Sequence, residues 1–469
     1  MINKTLVSVK VFFCATFLFF ACSDKEIFVQ DLPQDEPAIP EDSISVSAKQ
    51  AIEVANAFFN KQEGFSALKN SMSKQNASVE AIKDENNPLM YVVNFPEGGW
   101  AIISATRDYY PVLAYSEENS FLLAPDMGPV AFWMDMIKDD IKASKNFDDQ
   151  EKSEINILWK SYETGTFQIS LESTLKSSDP AYDAYITRKS QLITQYYPGW
   201  TYIVSLVDAQ NYLNQDDWQD LLNVAYNKNS PPEYTLVVLK LTDLSQQVGP
   251  LLATNWHQGS PFNNLTGCTS AGCVTIAMAQ IMKFHEHPSI FNWSDIPISG
   301  ISLYQNTELL ILNIGYALGL NFVNCNVGVN NNKIKSAFQS FGYSTTIKNH
   351  NHNDVYNEII NYQRPISMGG YPNSILGIPC GEGHQWVCDG VIHFYRLTTY
   401  FVEYQKSNYT YTTYNLTSPS KPDTSSTETL FFHMNWGWSP SYNAWFAYGS
   451  ANSGNGNFQY GRTNAYVHP

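Results

Sequence analysis

The sequence predicts an α+β protein in which helices and antiparallel strands occur in both halves of the chain. Three observations support this fold class. Short strands separated by turn signals precede residue 116, a helix that is apolar on nearly every side runs from Val274 to about Phe284, and apolar alternating strands reappear after Gly383. Helices and antiparallel strands kept apart in this way are typical of α+β domains.

Length and charge bound the number of domains and exclude one class of partner. The chain has 469 residues, of which 43% are hydrophobic, which is enough for two or three folded domains. Lys and Arg number 28 against 44 Asp and Glu, so the formal net charge is −16. Because no basic patch is present to neutralise phosphates, we expect no nucleic-acid partner.

The first 45 residues predict export and a lipid anchor. Residues 1–21 end in an apolar run that is too short to span a bilayer and has the arrangement of a signal peptide. The run leads into Cys22 and resembles a lipoprotein signal, with Cys22 lipidated after cleavage; cleavage without lipid is the alternative. The acidic residues that follow resemble a surface-export tag of some Gram-negative lipoproteins. We therefore expect a tether over residues 22–45 and an outer-membrane lipoprotein facing the surface, or otherwise a periplasmic or secreted protein.

Residues 46–150 are predicted to form a first α+β domain. A capping-box pattern at Ser47 precedes apolar residues at helical spacing through Phe59. Alternating runs between Leu89 and Ser116 predict antiparallel strands, and a second helix is expected from Val130 to Ile141. The domain contains neither Cys nor His, so nothing in it suggests catalysis.

The segment 151–245 is weakly periodic and is broken at Asp179-Pro180 and Pro231-Pro232. It could extend the first domain, form a small inserted unit, or serve as a linker that carries a processing site. A strand is predicted from Thr235 to Leu241. We place the compact carboxy-terminal domain at 246–469.

Cys273 is the candidate nucleophile. It lies at the first turn of the predicted apolar helix, where unpaired backbone N–H groups and the helix dipole favour the thiolate. The small residues before it, ending at Gly272, leave room for a substrate backbone and allow the Cys273 N–H to point at a developing oxyanion. A buried structural cysteine is the alternative for any single cysteine.

The cysteine count also favours a free thiol. Cys14 is expected to leave with the signal peptide, and the remaining cysteines apart from Cys22 are Cys268, Cys273, Cys325, Cys380 and Cys388. An odd number leaves at least one of them unpaired. A Cys268–Cys273 disulfide is the competing possibility, although it would use the one cysteine that begins a helix. No Cys and His spacing is typical of zinc, so we expect neither a metal nor another cofactor.

Side chains elsewhere in the sequence could complete the nucleophile's site. Gln258, in a turn-rich loop, offers an amide N–H as a second oxyanion donor. His384 begins a predicted strand behind Gly383, which clears space for substrate, and could act as general base and acid. Asn435 ends a later apolar strand, and its carbonyl could accept the imidazole N–H and hold the ring, while Trp436 shields that bond from water.

Other histidines offer alternatives to this assignment. His433, on the same strand face as Asn435, is the rival base. The pairs His285 and His287, and His350 and His352, lack a convincing third ligand, so they do not predict a metal site.

Four blocks occur in order along the chain: WHQGSPFN, GCVTIAMAQIM, GHQWVCDG and FHMNWGW. Over about residues 246–469 they resemble the signature blocks of the streptopain family of papain-like bacterial cysteine proteases. The earlier YVVNF, GGWAIISA and PVLAYS runs resemble the inhibitory prodomain of that family. The resemblance implies a papain-like fold of two subdomains, one helical and one of antiparallel strands, preceded by an α+β prodomain.

The resemblance also implies a role for each matching position. It gives Cys273 as nucleophile, His384 as general base and acid, Asn435 as orienter, Gln258 as oxyanion donor and Trp436 as shield. Two departures, Gln385 in place of a small residue and Ser439-Pro440 in place of Gly-Gly, lie near the expected cleft. We therefore expect them to affect substrate preference rather than the chemistry.

The leading hypothesis is an exported cysteine endopeptidase made as a zymogen, acting on protein or peptide substrates and inhibited by its own prodomain. One alternative is a triad-bearing acyl transferase of the transglutaminase kind, although such a triad usually has Asp where this chain has Asn435. The other is a binding or inhibitor protein that has lost activity. Against loss of activity, every residue that the chemistry needs is present.

Overall fold

A computed structural model provides the fold of the chain. It describes residues 44–61, 77–124, 127–148, parts of 152–162, 180–196, 202–211, 213, 215–298, 305–325, 328–371, 373–375, 378–380, 383–414, 429–438, 442–448 and 460–469. The predicted signal peptide, Cys22 and the pair Ser439-Pro440 lie outside these residues. Within the described ranges, no helix combines the length and apolar character needed to cross a bilayer.

The amino-terminal unit is an antiparallel sheet of four strands with two helices. Its elements are α1 (Ala48–Lys61), β1 (Ser78–Asp84), β2 (Asn87–Asn94), β3 (Trp100–Ser104), β4 (Val112–Ser116) and α2 (Pro129–Ala143). α1 begins with the expected capping box, since Ser47 Oγ accepts the N–H of Gln50 and Gln50 Oε1 accepts the N–H of Ser47. β1 was not predicted, because this edge strand is mostly half-buried and its apolar alternation is weak.

Residues 180–248 contain a small helical and stranded module. Its elements are α3 (Pro180–Tyr196), β5 (Tyr202–Ser205), α4 (Gln215–Asn227) and β6 (Leu236–Val248). Leu192, Leu236 and Val238 form part of one apolar cluster in this module, together with Phe401 from the carboxy-terminal part of the chain. β6 begins at Leu236 and therefore crosses the domain boundary that the sequence analysis placed at residue 246.

The carboxy-terminal unit packs helices against a long antiparallel sheet. Its helices are α5 (Cys273–His285), α6 (Gln305–Ala317), α7 (Asn331–Ser340) and α8 (His352–Tyr362). Its strands are β7 (Ser344–Asn349), β8 (Ile366–Tyr371), β9 (Asn373–Ile375), β10 (Ile378–Cys380), β11 (His384–Gln405), β12 (Tyr411–Tyr414), β13 (Thr429–Asn435), β14 (Ala444–Ala447) and β15 (Tyr460–His468). α5 is the central helix, as predicted, and every residue from Val274 to Met282 is buried.

β11 organises the sheet because different parts of its length pair with different strands. Its first residues pair with β8, its middle with β13, and the stretch Val391–Glu403 with β6. The main path of the sheet runs β1-β2-β3-β4-β14-β13-β11-β8-β15-β7. The two halves of the chain thus share one sheet, and the fold class is α+β.

The amino-terminal unit joins the carboxy-terminal one through β4 and β14. Tyr115 pairs with Trp445 across this junction, and Ala114 pairs with Phe446. Side chains continue the contact behind the strands, since the Tyr115 and Phe431 rings lie 5.1 Å apart. The junction therefore combines strand addition with a shared apolar core.

Candidate active site

Cys273 is the first residue of α5 and has a free thiol. Gly272 precedes it with φ of 88°, a left-handed conformation that favours glycine. Burial is the largest influence on the Cys273 thiol and raises its pKa, while hydrogen bonds from the backbone of Gln385, Val274 and Cys273 itself lower it. The helix terminus therefore acts on the sulfur as expected, but burial outweighs it and favours the neutral thiol in this full-length chain.

His384 is the first residue of β11. The next residue, Gln385, is one of those whose backbone lowers the pKa of the Cys273 thiol. The Nε2 atom of His384 lies 2.9 Å from the carbonyl oxygen of Trp436. Burial lowers the pKa of His384 to about 4, and the bond to Trp436 only partly offsets this effect. The raised pKa of Cys273 and the lowered pKa of His384 both favour the neutral forms. Among the described residues, no hydrogen bond joins the His384 ring to Cys273.

Asn435 does not bond to His384, which corrects the contact that the sequence analysis expected. Its Oδ1 accepts N–H groups from Gln280 and Gly437, at 3.1 and 3.2 Å. Its Nδ2 donates to the Thr254 carbonyl at 2.8 Å and to Gln280. The reason is that Asn435 lies at the end of β13 and its side chain bonds to Gln280 of α5. The imidazole therefore donates to the backbone carbonyl of the next residue, Trp436.

The rings of Trp386 and Trp436 lie beside the His384 ring. The His384 ring stacks on Trp386, with ring centres 6.1 Å apart and planes 7° apart. Trp436 lies 5.2 Å from Trp386 and 6.4 Å from His384. Both tryptophans are buried, so they limit the access of water to the His384 bond.

Gln258 lies beside the turn that leads into Cys273. Its backbone carbonyl accepts the N–H of Ala271 at 2.8 Å, and its side-chain oxygen accepts the Ser270 hydroxyl at 3.0 Å. Ser270 in turn accepts the N–H of Gly272. Within the described part of the chain, the Gln258 Nε2 group has no hydrogen-bond partner, so its donors remain available to a ligand.

His433 has a structural partner. Its Nδ1 lies 2.6 Å from Asp389 Oδ1, and the Asp389 side chain is 1% exposed. The other carboxylate oxygen accepts the N–H of Leu252. The Asp389 side chain of β11 thus joins His433 of β13 to Leu252, in the segment before α5. These contacts explain the histidine without a role in acid-base chemistry.

Gln385 and the cysteines also differ from the expectations. The Gln385 side chain is buried and donates to Ser367 Oγ at 2.8 Å, so it does not line a cleft in this structure. Cys268 forms a disulfide with Cys325 rather than with Cys273. Spacing alone did not reveal this pair, because the two cysteines are brought together by the fold.

The amino-terminal unit reaches the aromatic rings near the site. Trp133 of α2 contacts Phe446, with ring centres 4.8 Å apart, and Phe446 lies 5.4 Å from Trp436. Gly383 and Gly128 mark close approaches: a Cβ at Gly383 would lie 2.9 Å from the Tyr371 ring, and one at Gly128 would lie 2.4 Å from the Trp438 ring. The amino-terminal unit therefore packs against residues that directly follow Asn435.

Comparisons with known proteins found two family matches and similar solved structures. Residues 256–296 and 289–446 match the Peptidase C10 family, and residues 43–141 match the Spi protease inhibitor family. A search of curated proteins found no match. Among solved structures, a mutant fragment of prointerpain A from Prevotella intermedia is similar, with a TM-score of 0.40 and 14% identity, covering 83% of this chain and 98% of that chain.

Proposed function

We propose that the chain is an exported cysteine endopeptidase that uses Cys273, His384 and Asn435, with a Spi-type inhibitor domain ahead of its peptidase domain. The proposal is supported by the matches of residues 256–446 to the Peptidase C10 family and of residues 43–141 to the Spi protease inhibitor family. The observation that carries the proposal is the meeting of two elements. The nucleophile's helix α5 packs on β11, and Cys273 and His384 are the first residues of these two elements. Contact between the elements supports proton exchange between the two groups in the processed enzyme.

The proposed reaction has two halves. The Cys273 thiolate attacks the scissile carbonyl carbon, and His384 donates a proton to the leaving amine, which gives a thioester with the acyl part of the substrate. His384 then removes a proton from water, which attacks the thioester and restores the thiol. Since Nε2 of His384 bonds to the Trp436 carbonyl, Nδ1 is the nitrogen that exchanges these protons.

The oxyanion of each tetrahedral intermediate is proposed to bind Gln258 and the backbone N–H of Cys273. The support is that Ser270 holds the Gln258 oxygen at 3.0 Å, which directs the amide donors elsewhere. Two preorganised donors of this kind typically contribute about 10²–10³-fold each to kcat. Gly272 and Gly383 are proposed to leave space for the substrate backbone.

Latency is proposed to come from the inhibitor domain. In the full-length chain burial raises the pKa of Cys273 and lowers that of His384 to about 4, so the thiolate-imidazolium pair is disfavoured. Loss of the domain would expose the residues that follow Asn435 and let the ion pair form. We expect activation to require cleavage of the chain.

An assay of peptide hydrolysis tests the chemistry. We expect the processed wild type to cleave an unfolded protein substrate at internal bonds, and Cys273→Ala to be inactive. Cys388→Ala is the matched control, because Cys388 is the other described free thiol and is buried away from solvent. An active Cys273→Ala enzyme would remove the mechanism.

The same preparation can exclude the acyl-transferase alternative. Incubation of the processed enzyme with a glutamine-containing peptide and a primary amine should give peptide fragments and no amine-modified glutamine. Amine incorporation without hydrolysis would contradict the assignment as an endopeptidase.

Export and anchoring at Cys22 form a separate part of the proposal, supported by the sequence of the first 45 residues. In a Gram-negative host, the wild type should incorporate labelled palmitate and be removed from intact cells by an added protease. Cys22→Ser should be exported but soluble. A protein that remains cytoplasmic would contradict the export proposal and leave the peptidase chemistry unaffected.

A further inference from the structure

Gln280 is a buried amide on the helix that carries the nucleophile. It lies seven residues after Cys273, about two helical turns, so the two side chains share one face of α5. The Gln280 side chain is 0% exposed, and most of its neighbours on the helix are apolar. A polar group in such surroundings is costly unless its hydrogen bonds are made.

The Gln280 amide forms a reciprocal pair with Asn435. Gln280 Nε2 donates to Asn435 Oδ1 at 3.1 Å, and Asn435 Nδ2 donates to Gln280 Oε1 at 3.2 Å. The same Gln280 oxygen accepts the hydroxyl of Thr254 and the N–H of Trp256. The Gln280 side chain therefore joins α5 to the end of β13 and to the segment 254–256, which precedes Gln258.

The pair with Gln280 continues to the base through the backbone. Asn435 Oδ1 also accepts the N–H of Gly437 at 3.2 Å, and this bond closes a turn around the peptide of Trp436. The carbonyl of Trp436 is the group that lies 2.9 Å from His384 Nε2. The position of that carbonyl thus depends on how Asn435 is held.

We propose that Gln280 is a positioning residue for catalysis: it fixes Asn435, which fixes the Trp436 carbonyl, which orients the His384 ring toward Cys273. The single helix α5 would then position both Cys273 and, through Gln280, the Asn435 side chain on which the orientation of His384 depends. This inference rests on the proposed function, because it assigns a role within the Cys273 and His384 chemistry. Asn435 acts through the backbone rather than by touching the imidazole.

Gln280→Met is the principal test. It keeps the length of the side chain and removes every hydrogen bond to Asn435. We expect kcat/KM of the processed enzyme to fall about 10- to 100-fold, carried mainly by kcat, because a base displaced by about 1 Å loses activity on this scale. Thr254→Val is the matched control, since it removes the hydroxyl bond to Gln280 from the same buried network and retains the Thr254 backbone carbonyl, which is the atom that accepts from Asn435. It should change kcat/KM less than 3-fold, about 0.7 kcal/mol.

A double-mutant cycle separates positioning from a general structural effect. If Gln280 acts through Asn435, adding Gln280→Met to Asn435→Ala should cause little further loss of kcat/KM. The pH dependence of Cys273 alkylation by iodoacetamide gives a second measurement. We expect Gln280→Met to raise the lower apparent pKa of this profile, because a misplaced His384 stabilises the thiolate less well, whereas Thr254→Val should leave it unchanged.

Gln280→Leu also removes both the donor and the acceptor, and serves if the Met variant does not fold. Because it cannot hydrogen-bond to Asn435, the same shift of the alkylation profile is expected. Losses of kcat/KM that add fully in the cycle, or an unchanged alkylation profile in a folded Gln280 variant, would overturn the inference. A wild type without peptidase activity would instead overturn the proposed function.

Discussion

His384 takes its orientation from a backbone carbonyl, and this changes what each nearby side chain is expected to contribute. Its bond to Trp436 O measures 2.9 Å, whereas Asn435 bonds only to Gln280, Thr254 and Gly437 among the described residues. A side chain that acts at one remove should matter less than one that transfers protons.

The ranking of three variants follows from this arrangement. We expect His384→Ala to lower kcat/KM by roughly 10³-fold or more, because the thiol loses its base and the leaving amine its proton donor. Asn435→Ala should cost on the order of 10–10³-fold, since the Cys273 and His384 pair can still form. Steady-state kinetics on the processed enzymes would check the order.

His433→Asn provides the comparison for that ranking. Replacement of His433 should lower the free energy of unfolding, because the buried Asp389 carboxylate loses the imidazole that lies 2.6 Å from it. The kcat/KM of the folded fraction should stay near that of the wild type. A folded His433→Asn enzyme that is less active than His384→Ala would assign the base to His433.

The pKa shifts at the site predict different thiol reactivity before and after processing. Burial raises the pKa of Cys273 and lowers that of His384 to about 4, so at pH 6 both groups of the precursor are neutral. Alkylation of precursor Cys273 by iodoacetamide should therefore be slow at pH 6 and increase at alkaline pH. The processed enzyme should react readily at pH 6, and equal rates for the two forms there would contradict this account of latency.

The sequence predicted where the site residues lie but not what they contact. A cysteine at a helix start and a histidine at a strand start are local patterns, and the structure has both. The partners of Asn435 depend on three segments, around Thr254, Gln280 and Trp436, that meet only in the fold. A polar residue on the face of α5 that carries Cys273 was the available signal for Gln280.

At the scale of elements, a disulfide braces the region around the nucleophile's helix. It joins Cys268, just before α5, to Cys325, after α6, and the cysteines are 57 residues apart in the chain. Both positions lie outside the hydrogen-bonded site. Its contribution should therefore concern stability rather than chemistry.

Loss of this disulfide is expected to destabilise the chain without slowing turnover. In the chain-entropy account, closing a loop of this length contributes about 4 kcal/mol to the free energy of unfolding. Denaturant unfolding of Cys268→Ser in the inactive Cys273→Ala background, compared with Cys273→Ala alone, measures this loss. Turnover of Cys268→Ser, measured below its unfolding temperature, should match the wild type; a large fall in kcat would place the disulfide within the catalytic machinery.

Elements with regular periodicity were predicted more closely than the others. α5 was expected from Val274 to about Phe284 and spans Cys273–His285. β11 begins at His384, as predicted, and continues to Gln405, a length that the sequence did not predict. Its length depends on pairing with β6, which was predicted only from Thr235 to Leu241 and in fact continues to Val248.

At the scale of the whole molecule, the 180–248 module is part of the peptidase half. β6 pairs with β11 from Leu236 to Val248. The Arg188 guanidinium donates to both oxygens of the buried Glu403, and Gln405 Nε2 donates to the Ala181 carbonyl at 2.8 Å. Removal of the module would remove these bonds and leave a long edge of β11 unpaired.

We therefore expect the mature peptidase to keep this module, with the activating cleavage before Pro180. The sequence alone placed a possible processing site anywhere in the segment 151–245. Amino-terminal sequencing and intact mass of the processed wild type would locate the cut. An active mature chain that begins after Val248 would show that β11 does not need β6.

We expect Cys273 to perform both peptide hydrolysis and self-processing, in a chain that is made as a latent precursor. The most direct test follows purified wild-type and Cys273→Ala precursors over time by gel electrophoresis and by hydrolysis of a peptide substrate. We predict that the wild type starts inactive, is cleaved, and gains activity in step with cleavage. Cys273→Ala should stay intact and inactive alone, yet be cleaved when a trace of processed wild type is added. Full activity in the uncleaved wild type, or processing of Cys273→Ala by itself, would contradict the account.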